Sequence, residues 1–368
     1  MKKIITKYIL LKILIFFHLI YIIIHQKYFY FFINKKKIKK LIYDSEKIPN
    51  LKNSSFSKIN NIFLYKEDEN KSNNKNMIHL CMAIDNKMIY PTLISMVSAL
   101  ENKKNESILV YYLLLSYNFI TSNISIFEDL KNTYEVRINY YIIPRIFKNL
   151  KKWRGETDTI YYKLLIPLLF EHLDRIIYLD GDTLIYNDLW EMFNLPFNDN
   201  YILGPPSPFH HLTEKYKMDY KYYVNGGVIL FNIKKIRKDN IDFKLLYYAT
   251  IYDKKFILLE QDIINFTLKP KIGLLSFKYG IYLIGNIYIY KKFLLKKFKN
   301  MVSLKEVQDA LNNPVIVHLV FCQPKVWYIN RTRSNFNLDS ICKKYQKHFY
   351  FYANKTKYYT KIYNKYLN

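Results

Sequence analysis

The sequence predicts an α/β protein built on a doubly wound, mainly parallel sheet. From Met77 onward, short apolar runs typical of buried strands alternate with segments that carry apolar residues at helical spacing. This alternation is typical of strand–helix–strand units, which form parallel sheets. The apolar run from 175 to 179 ends in two acids, Asp180 and Asp182. Because ligands of such folds bind at the carboxyl ends of strands, the pair marks a candidate site.

The elements follow in order along the chain. The predicted strands are residues 77–85, 107–115, 135–143, 175–179, 228–233 and 313–319. The predicted helices are residues 90–102, 124–132, 159–173 and 259–268. Half of the residues are hydrophobic (50%), which is enough to build a sizeable core.

The charge balance is strongly basic, with 57 Lys and Arg against 30 Asp and Glu, a net charge of +27. The lysines are dispersed rather than set among aromatic residues in a nucleic-acid-binding motif. We therefore attribute the charge to biased lysine usage and predict no nucleic-acid partner. Three cysteines exclude a disulfide framework, although they leave one bridge open, for example between Cys322 and Cys342.

The N-terminal segment Tyr8 to Ile24 is almost wholly apolar, which predicts an uncleaved membrane-anchor helix rather than a buried core helix. The basic run from 34 to 40 would place the C-terminal side in the cytosol by the positive-inside rule. The sequence predicts four regions: 1–33 cytosolic N-terminus and signal anchor, 34–75 polar stem, 76–342 globular domain, and 343–368 Tyr- and Lys-rich tail.

The acid pair Asp180 and Asp182 would leave an extended strand from the same face. Two carboxylates so placed suit a divalent cation and leave room for phosphate oxygens. One alternative is that the turn simply caps a helix over the following NDLWEMF. Another is the haloacid-dehalogenase-type phosphatase motif D-x-D-G-T. It fits less well because the order here is D-G-D-T and the pair lies far into the domain.

Three further motifs contribute candidate ligands. His318 ends an apolar strand, where a lone histidine is usually a core residue. Beside an acid pair it is instead a candidate third metal ligand. The resulting set of oxygen and nitrogen ligands favours Mn²⁺. Lys325 follows closely and would neutralise a diphosphate. Gly226 and Gly227 would let the backbone approach a ligand, or simply form a tight turn. The acids within 259–262 open a helix, which is also ordinary N-terminal helix charge.

These motifs occur together in an order that resembles glycosyltransferase family 8, the retaining group that includes glycogenins and bacterial lipopolysaccharide galactosyl- and glucosyltransferases. The resemblance covers Met77 to Trp327 and rests on HLCMAIDNKMIYPTLISMVSAL, YLDGDTLIYNDL, YYVNGGVILFNIKKIR, EQDIINF and IVHLVFCQPKVW. It implies a GT-A fold. It also implies Mn²⁺-dependent transfer of a hexosyl group from a UDP-sugar to a glycan, glycolipid or glycoprotein acceptor.

The resemblance also implies a role for each matching residue. Asp180, Asp182 and His318 would bind the metal. Gln261 would lie beside the anomeric carbon and polarise or shield the cation, with Glu260 and Asp262 as catalytic neighbours. The donor-binding residues would be Ala83, Asp85, Lys163, Asp180, Asn225, Gly226, Gly227 and Lys325.

The chain departs from the family pattern at several positions. Lys163 stands where the family usually has Arg, and Glu260 where it usually has Asp. The closing motif is one residue longer, with Phe321 near a glycine position and Val326 in place of Pro. These departures leave open a catalytically weak or inactive nucleotide-sugar-binding module. The resemblance further implies a single-pass type II membrane protein with its domain in the lumen of the Golgi or endoplasmic reticulum.

Overall fold

The computed structural model describes residues 76–104, 106–152, 157–207, 223–252, 256–282, 303–320, 322, 324–329 and 340–367. Its strands are β1 (Met77–Ile84), β2 (Ile108–Leu115), β3 (Val136–Ile142), β4 (Arg175–Leu179), β5 (Thr183–Ile185), β6 (Ile202–Gly204), β7 (Val228–Asn232), β8 (Ile272–Leu274), β9 (Ile281–Tyr282) and β10 (Ile316–His318). Its α-helices are α1 (Ile89–Asn102), α2 (Ile124–Glu128), α3 (Ile166–Leu169), α4 (Trp190–Phe193), α5 (Ile233–Lys238), α6 (Asp242–Tyr252), α7 (Leu259–Leu268), α8 (Leu304–Asn312), α9 (Ser340–Ala353) and α10 (Tyr359–Leu367).

The larger sheet has the strand order β3-β2-β1-β4-β7-β6-β8. Strands β3, β2, β1 and β4 are mutually parallel, β7 runs antiparallel to both β4 and β6, and β8 is parallel to β6. The predicted mainly parallel α/β sheet is therefore confirmed. Because β1 and β4 point the same way, Asp85 and the Asp180–Asp182 turn follow them at one edge of the sheet.

The central strands are covered on both faces, as their sequences require. Residues 109–115 of β2 are all buried, and this continuous apolar run is typical of a strand with helices on both sides. Helix α1 is buried from Ile89 to Leu100, so it lies within the core rather than on its surface. Its polar residues Thr92, Ser95 and Ser98 are buried as well and need partners inside the protein.

The predicted helix over 159–173 is only partly confirmed. Residues Asp158–Leu165 form a 3₁₀ helix, and the α-helical part is the short α3. Pro167 explains the break, because its ring would clash with the carbonyl of residue 163 in a continuous α-helix and it has no N–H to donate. Pro167 instead sits in the first turn of α3, where proline is tolerated.

A second, three-stranded sheet has the order β5-β10-β9. Strand β10 is antiparallel to β5, with His318 opposite Thr183. This pairing brings His318 beside the turn between β4 and β5. The alternative in which that turn caps a following helix is wrong, since β5 comes next and α4 begins only at Trp190.

The residues expected to form a C-terminal tail contribute two helices, α9 and α10, to the folded protein. Their buried positions recur at helical spacing and are mostly aromatic: Tyr345, Phe349, Tyr352 and Tyr366. Helix α9 packs on α1, where Asn102 donates a hydrogen bond to the Tyr352 hydroxyl at 2.8 Å. The sequence predicted only a Tyr- and Lys-rich tail here, because the frequent lysines between the aromatic residues hide the helical period.

The expected membrane anchor, Tyr8 to Ile24, lies outside the described residues. Within the part of the chain that the structure describes, no helix combines the length and the apolar character needed to cross a bilayer. The predicted single-pass membrane location therefore has no support among the described residues and is withdrawn.

Candidate active site

A cleft of about 490 Å³ opens at the carboxyl ends of β1 and β4. It contains every predicted site residue except Asp262. The residues that line it are Ala83, Asp85, Lys87, Met88, Thr157, Thr159, Ile160, Lys163, Tyr178, Asp180, Gly181, Asp182, Asn225, Gly226, Gly227, Leu258, Glu260, Gln261, His318, Val320 and Lys325.

The turn that carries the two acids is fixed against α1. A Cβ atom at Gly181 would lie 2.4 Å from Thr92 Oγ1, so only glycine fits between the acids. Thr183 Oγ1 donates a hydrogen bond to the Asp180 carbonyl at 2.9 Å and lies 2.8 Å from Ser95 Oγ. The buried polar residues of α1 thus hold the turn that aims both carboxylates into the cleft.

Asp180, Asp182 and His318 form one cluster. One ligand atom from each lies within 4.8 Å of the others. His318 Nε2 is 3.1 Å from Asp182 Oδ1 and 3.7 Å from Asp180 Oδ2. Two carboxylates and an imidazole make a mixed oxygen and nitrogen donor set, which suits a transition-metal ion such as Mn²⁺.

Gly227 lies directly against this cluster. A Cβ atom there would come within 2.2 Å of His318 Cε1 and 2.6 Å of Asp180 Oδ2. Its backbone carbonyl also accepts the Asp180 N–H at 2.8 Å. The absence of a side chain at Gly227 is therefore what allows the imidazole and the carboxylate to approach each other.

Lys325 and His318 hold Asp182 ionised. Lys325 Nζ donates to Asp182 Oδ2 at 2.8 Å, and His318 lies against the other oxygen. Burial opposes ionisation, but the charges and hydrogen bonds of Lys325 and His318 hold the pKa of Asp182 well below its usual range. Asp182 therefore presents a negative charge to the cleft at neutral pH.

Lys163 is a buried hub behind the cluster, with only 1% of its surface exposed. Its ammonium donates to Asp180 Oδ1 at 3.3 Å, to Glu260 Oε1 at 3.1 Å and to the Gly226 carbonyl at 3.0 Å. An ammonium has three protons, and these contacts use all of them. Lys163 also lines the cleft, and its ammonium holds Asp180, Glu260 and the Gly226 carbonyl in position. Its contact with the donor stays a prediction.

Burial alone would lower the pKa of Lys163, but Asp180 and Glu260 together raise it above its ordinary value. Burial raises the pKa of Glu260 to about 7, even though the neighbouring Lys163 acts in the opposite direction. Glu260 is thus a cleft-facing carboxyl group that gains or loses its proton near neutral pH.

Tyr178 is a functional residue that the sequence reasoning missed. Its fully buried hydroxyl donates to Asp180 Oδ1 at 2.7 Å, beside the Lys163 ammonium. These two donors occupy Oδ1, so Oδ2 is the oxygen that faces His318. The position two residues before Asp180 on the same strand could have indicated this contact, since such residues share a face.

Gln261 is held rigidly by the loop that precedes β7. Its Oε1 accepts hydrogen bonds from Gly226 N at 2.9 Å and Asn225 Nδ2 at 3.1 Å. Its Nε2 donates to Ser207 Oγ at 3.4 Å and to the Tyr223 hydroxyl at 3.3 Å. Both lone pairs of the amide oxygen are engaged, so that oxygen is a poor nucleophile.

The predicted catalytic placement of Asp262 is not what the structure shows. Asp262 is fully buried and does not line the cleft. Its carboxylate accepts hydrogen bonds from Ile257 N at 2.7 Å, Leu258 N at 2.8 Å and the Tyr223 hydroxyl. Leu259 beside them has a φ of 50°, an unfavourable conformation for leucine. Asp262 instead holds the strained turn that presents Glu260 and Gln261.

Asp85 and Ala83 lie at the other end of the cleft, at the carboxyl end of β1. Asp85 Oδ1 accepts the N–H groups of Lys87 at 2.8 Å and Met88 at 3.0 Å. Asp85 Oδ2 accepts the Thr157 hydroxyl at 2.9 Å. The carboxylate therefore shapes the loop into α1 as well as lining the cleft.

A GT-A-like α/β sheet with an acid–acid–histidine cluster at its strand ends suits a glycosyltransferase. The chain belongs to glycosyl transferase family 8. The family model matches residues 79–329, which are more than half of this chain.

Two similar proteins are bacterial. The chain is 27% identical over 220 residues to the lipopolysaccharide 1,3-galactosyltransferase of Salmonella typhimurium, a match that covers 56% of this chain and 58% of that protein. It is 28% identical over 181 residues to general stress protein A of Bacillus subtilis, covering 47% of this chain and 60% of that protein. The matches thus span about 60% of these relatives. These bacterial relatives conflict with the predicted Golgi or endoplasmic-reticulum location, which is withdrawn.

The fold is similar to that of the galactosyltransferase LgtC, solved in complex with donor and acceptor sugar analogues. The TM-score is 0.61 at 17% identity, and the likeness covers 76% of this chain and 96% of that chain. At this level of identity the likeness establishes the GT-A-like fold alone.

Proposed function

We propose that this protein transfers a hexosyl group from a UDP-sugar to a glycan, lipid or protein acceptor with retention of configuration, using Mn²⁺. The observation that carries the proposal is that Asp180, Asp182 and His318 open onto the same cleft as Lys325 and Gln261. A metal cluster, a cation and a fixed amide around one cavity suit the cleavage of a sugar–diphosphate bond.

The residues present fit a divalent metal. The donor set combines carboxylate and imidazole groups, and Gly227 leaves the space in which they converge. Asp180, Asp182 and His318 would hold the ion, and Tyr178 would orient Asp180 from behind. When bound, Mn²⁺ would act as a Lewis acid on the diphosphate oxygens.

The chain supplies the remaining parts of the donor site. Lys325, beside Asp182, would neutralise charge that develops on the leaving diphosphate. Asp85 and Ala83, at the far end of the cleft, would contact the nucleoside. Asn225 and the Gly226–Gly227 backbone would contact the sugar near Gln261.

The geometry of Gln261 and Asp262 favours front-face attack by the acceptor over a covalent glycosyl–enzyme intermediate. The Gln261 oxygen already accepts two hydrogen bonds, and Asp262 is buried with its carboxylate occupied. Gln261 would then shield the developing oxocarbenium ion rather than attack it. Glu260 also lines the cleft and would help to stabilise that charge.

A donor panel tests this proposal. Purified protein is incubated with Mn²⁺ and individual UDP-sugars, and released UDP is measured. We expect turnover with at least one donor, and a loss of about a hundredfold or more in Asp182→Asn, because the metal would lose a charged ligand. Asp188→Asn is the matched control, since Asp188 accepts the N–H groups of Lys104 and Trp190 outside the cleft. Equal activity of Asp182→Asn and the wild type would refute the metal role.

A nucleotide-sugar-binding module without turnover is the second candidate. The observation that favours it is that the Lys325 ammonium already donates to Asp182, to the Leu319 carbonyl at 3.3 Å and to the Val320 carbonyl at 3.2 Å. All three protons are engaged within the protein. This candidate predicts that UDP with Mn²⁺ raises the melting temperature while no donor releases UDP. The phosphatase alternative is set aside, because the chain belongs to glycosyl transferase family 8.

A further inference from the structure

The helix pair α9 and α10 holds the segment that carries Lys325. This closing segment comprises the described residues 319, 320, 322 and 324–329. A disulfide joins Cys322 in the closing segment to Cys342 in α9. The further bonds are Gln346 Nε2 to the Tyr328 carbonyl at 2.9 Å, the Tyr350 hydroxyl to the Trp327 carbonyl at 2.6 Å, and Ile329 N to the Tyr366 carbonyl at 2.9 Å.

These attachments lie on both sides of Lys325. Cys322 precedes it, while Trp327, Tyr328 and Ile329 follow it. Trp327 is buried against Phe349, with ring centroids 6.0 Å apart. The disulfide thus attaches the part of the closing segment that lies between His318 and Lys325 covalently to α9. Both of its cysteines are buried, Cys322 fully and Cys342 to 5% exposure.

The shape of the closing segment decides where the Lys325 ammonium lies. Two of its three acceptors are carbonyls of the same segment, at Leu319 and Val320, and the third is Asp182. A lysine side chain is flexible and loses rotamer entropy when it is fixed. The backbone around Lys325 must therefore be rigid if the ammonium is to stay beside Asp182.

We propose that the Cys322–Cys342 disulfide positions Lys325 at the metal end of the cleft, so that affinity for the nucleoside diphosphate depends on this bond. The inference rests on the function proposed above. Neither cysteine lines the cleft, so both are positioning residues rather than catalytic ones. Reductive opening needs two electrons and two protons from an added dithiol, which breaks the S–S bond to two thiols and is itself oxidised to a disulfide.

A mutant cycle on the full chain tests the proposal. UDP affinity in the presence of Mn²⁺ is measured calorimetrically for the wild type, Cys322→Ala/Cys342→Ala, Lys325→Ala and the triple variant. We expect the loss of the disulfide to weaken UDP binding about tenfold, because a charge-assisted contact is loosened. In the Lys325→Ala background, loss of the disulfide should not weaken UDP binding any further. Cys81→Ala is the control, since Cys81 is a buried free cysteine in β1.

An unchanged UDP affinity in the double cysteine variant, or a tenfold loss that persists in the Lys325→Ala background, would overturn the proposal. If the double variant does not fold, wild-type protein reduced with dithiothreitol is measured instead. If the double cysteine variant and the reduced wild type both unfold, the disulfide maintains the whole fold, and this result also overturns a local role at Lys325.

A second readout is independent of the proposed function. The rate of acylation of the Lys325 amine is followed by mass spectrometry in the oxidised and disulfide-free proteins without nucleotide. Faster labelling at Lys325, with unchanged labelling at Lys234 on the exposed surface, is expected. Equal rates at Lys325 would overturn the positioning role. A wild type that binds no UDP would refute the proposed function, while the labelling would still decide the role of the disulfide.

Discussion

Replacement of Lys163 by Met removes the buried cation between Asp180 and Glu260 while keeping most of the packing of its side-chain stem. The ammonium donates three hydrogen bonds of 3.0 to 3.3 Å, and its side chain is only 2% exposed. Removing one partner of a buried ion pair costs about 3–5 kcal/mol, because the remaining charge is uncompensated. We expect Lys163→Met to lower the free energy of unfolding by this amount at pH 8.

The cost should be smaller at pH 6. Lys163 is one of the groups that lower the pKa of Glu260, so its removal makes protonation of Glu260 easier. A protonated Glu260 no longer leaves an uncompensated charge. Glu260→Gln removes the same charge, so adding it to Lys163→Met should recover part of the lost free energy of unfolding. The double variant should be at least about 1 kcal/mol more stable than the sum of the two single effects predicts.

Urea denaturation of metal-free protein at pH 6 and pH 8 measures these differences for the wild type, both single variants and the double variant. Lys131→Met is the matched control, because Lys131 pairs with Glu128 on the surface and should cost less than about 1 kcal/mol. Two results would refute the idea that Lys163 compensates the buried charges of Asp180 and Glu260. One is a free energy of unfolding of Lys163→Met within about 0.5 kcal/mol of the wild type, and the other is strictly additive effects of the two single substitutions.

Three further predictions concern the cleft. Tyr178→Phe should weaken Mn²⁺ binding about tenfold in a metal titration, because Asp180 loses the donor that orients it. Gly227→Ala should abolish Mn²⁺ binding in the same titration, because its Cβ would lie 2.2 Å from His318 Cε1. Folding raises the pKa of Glu260 from 4.5 to about 7, so the folded state binds this proton more tightly than the unfolded chain. Metal-free protein should therefore lose up to about 3 kcal/mol of stability as pH rises from 4.5 through 7, and Glu260→Gln should remove that pH dependence.

Tyr112→Phe removes another buried hydroxyl, which lies 3.1 Å from His79 Nδ1; if it weakens Mn²⁺ binding as much as Tyr178→Phe does, orientation of Asp180 is not the cause. Gly273→Ala is equally crowded, 2.4 Å from Leu203, and should reduce stability while leaving Mn²⁺ affinity intact. Parallel stability curves for the wild type and Glu260→Gln would contradict the raised pKa.

Much of the parallel half of the fold could be predicted because its strands are continuous apolar runs. The bounds predicted for the strands that became β1 to β4 agree with the structure to within one residue at each end. The short strands β5 and β9 carry no such pattern. They are defined by their pairing with β10, which lies far away in sequence.

The site residues could be predicted as a set, but not the way each side chain is used. Asp180, Asp182 and His318 converge as expected. The burial of Asp262 depends on the strained turn at Leu259. The Lys163 ammonium donates all three of its protons to acceptors on three separate segments of the chain. Neither can be inferred from spacing along the chain.

The central claim is that Asp180, Asp182 and His318 form a metal site that works together with a nucleotide. The most direct measurement is a titration of Mn²⁺ against the protein in the presence of UDP, with free Mn²⁺ followed by electron paramagnetic resonance. We expect one bound Mn²⁺ per chain in the wild type, bound more tightly when UDP is present, and loss of that ion in Asp182→Asn and His318→Ala. Equal Mn²⁺ binding by the wild type and both variants, or binding that UDP does not affect, would contradict it.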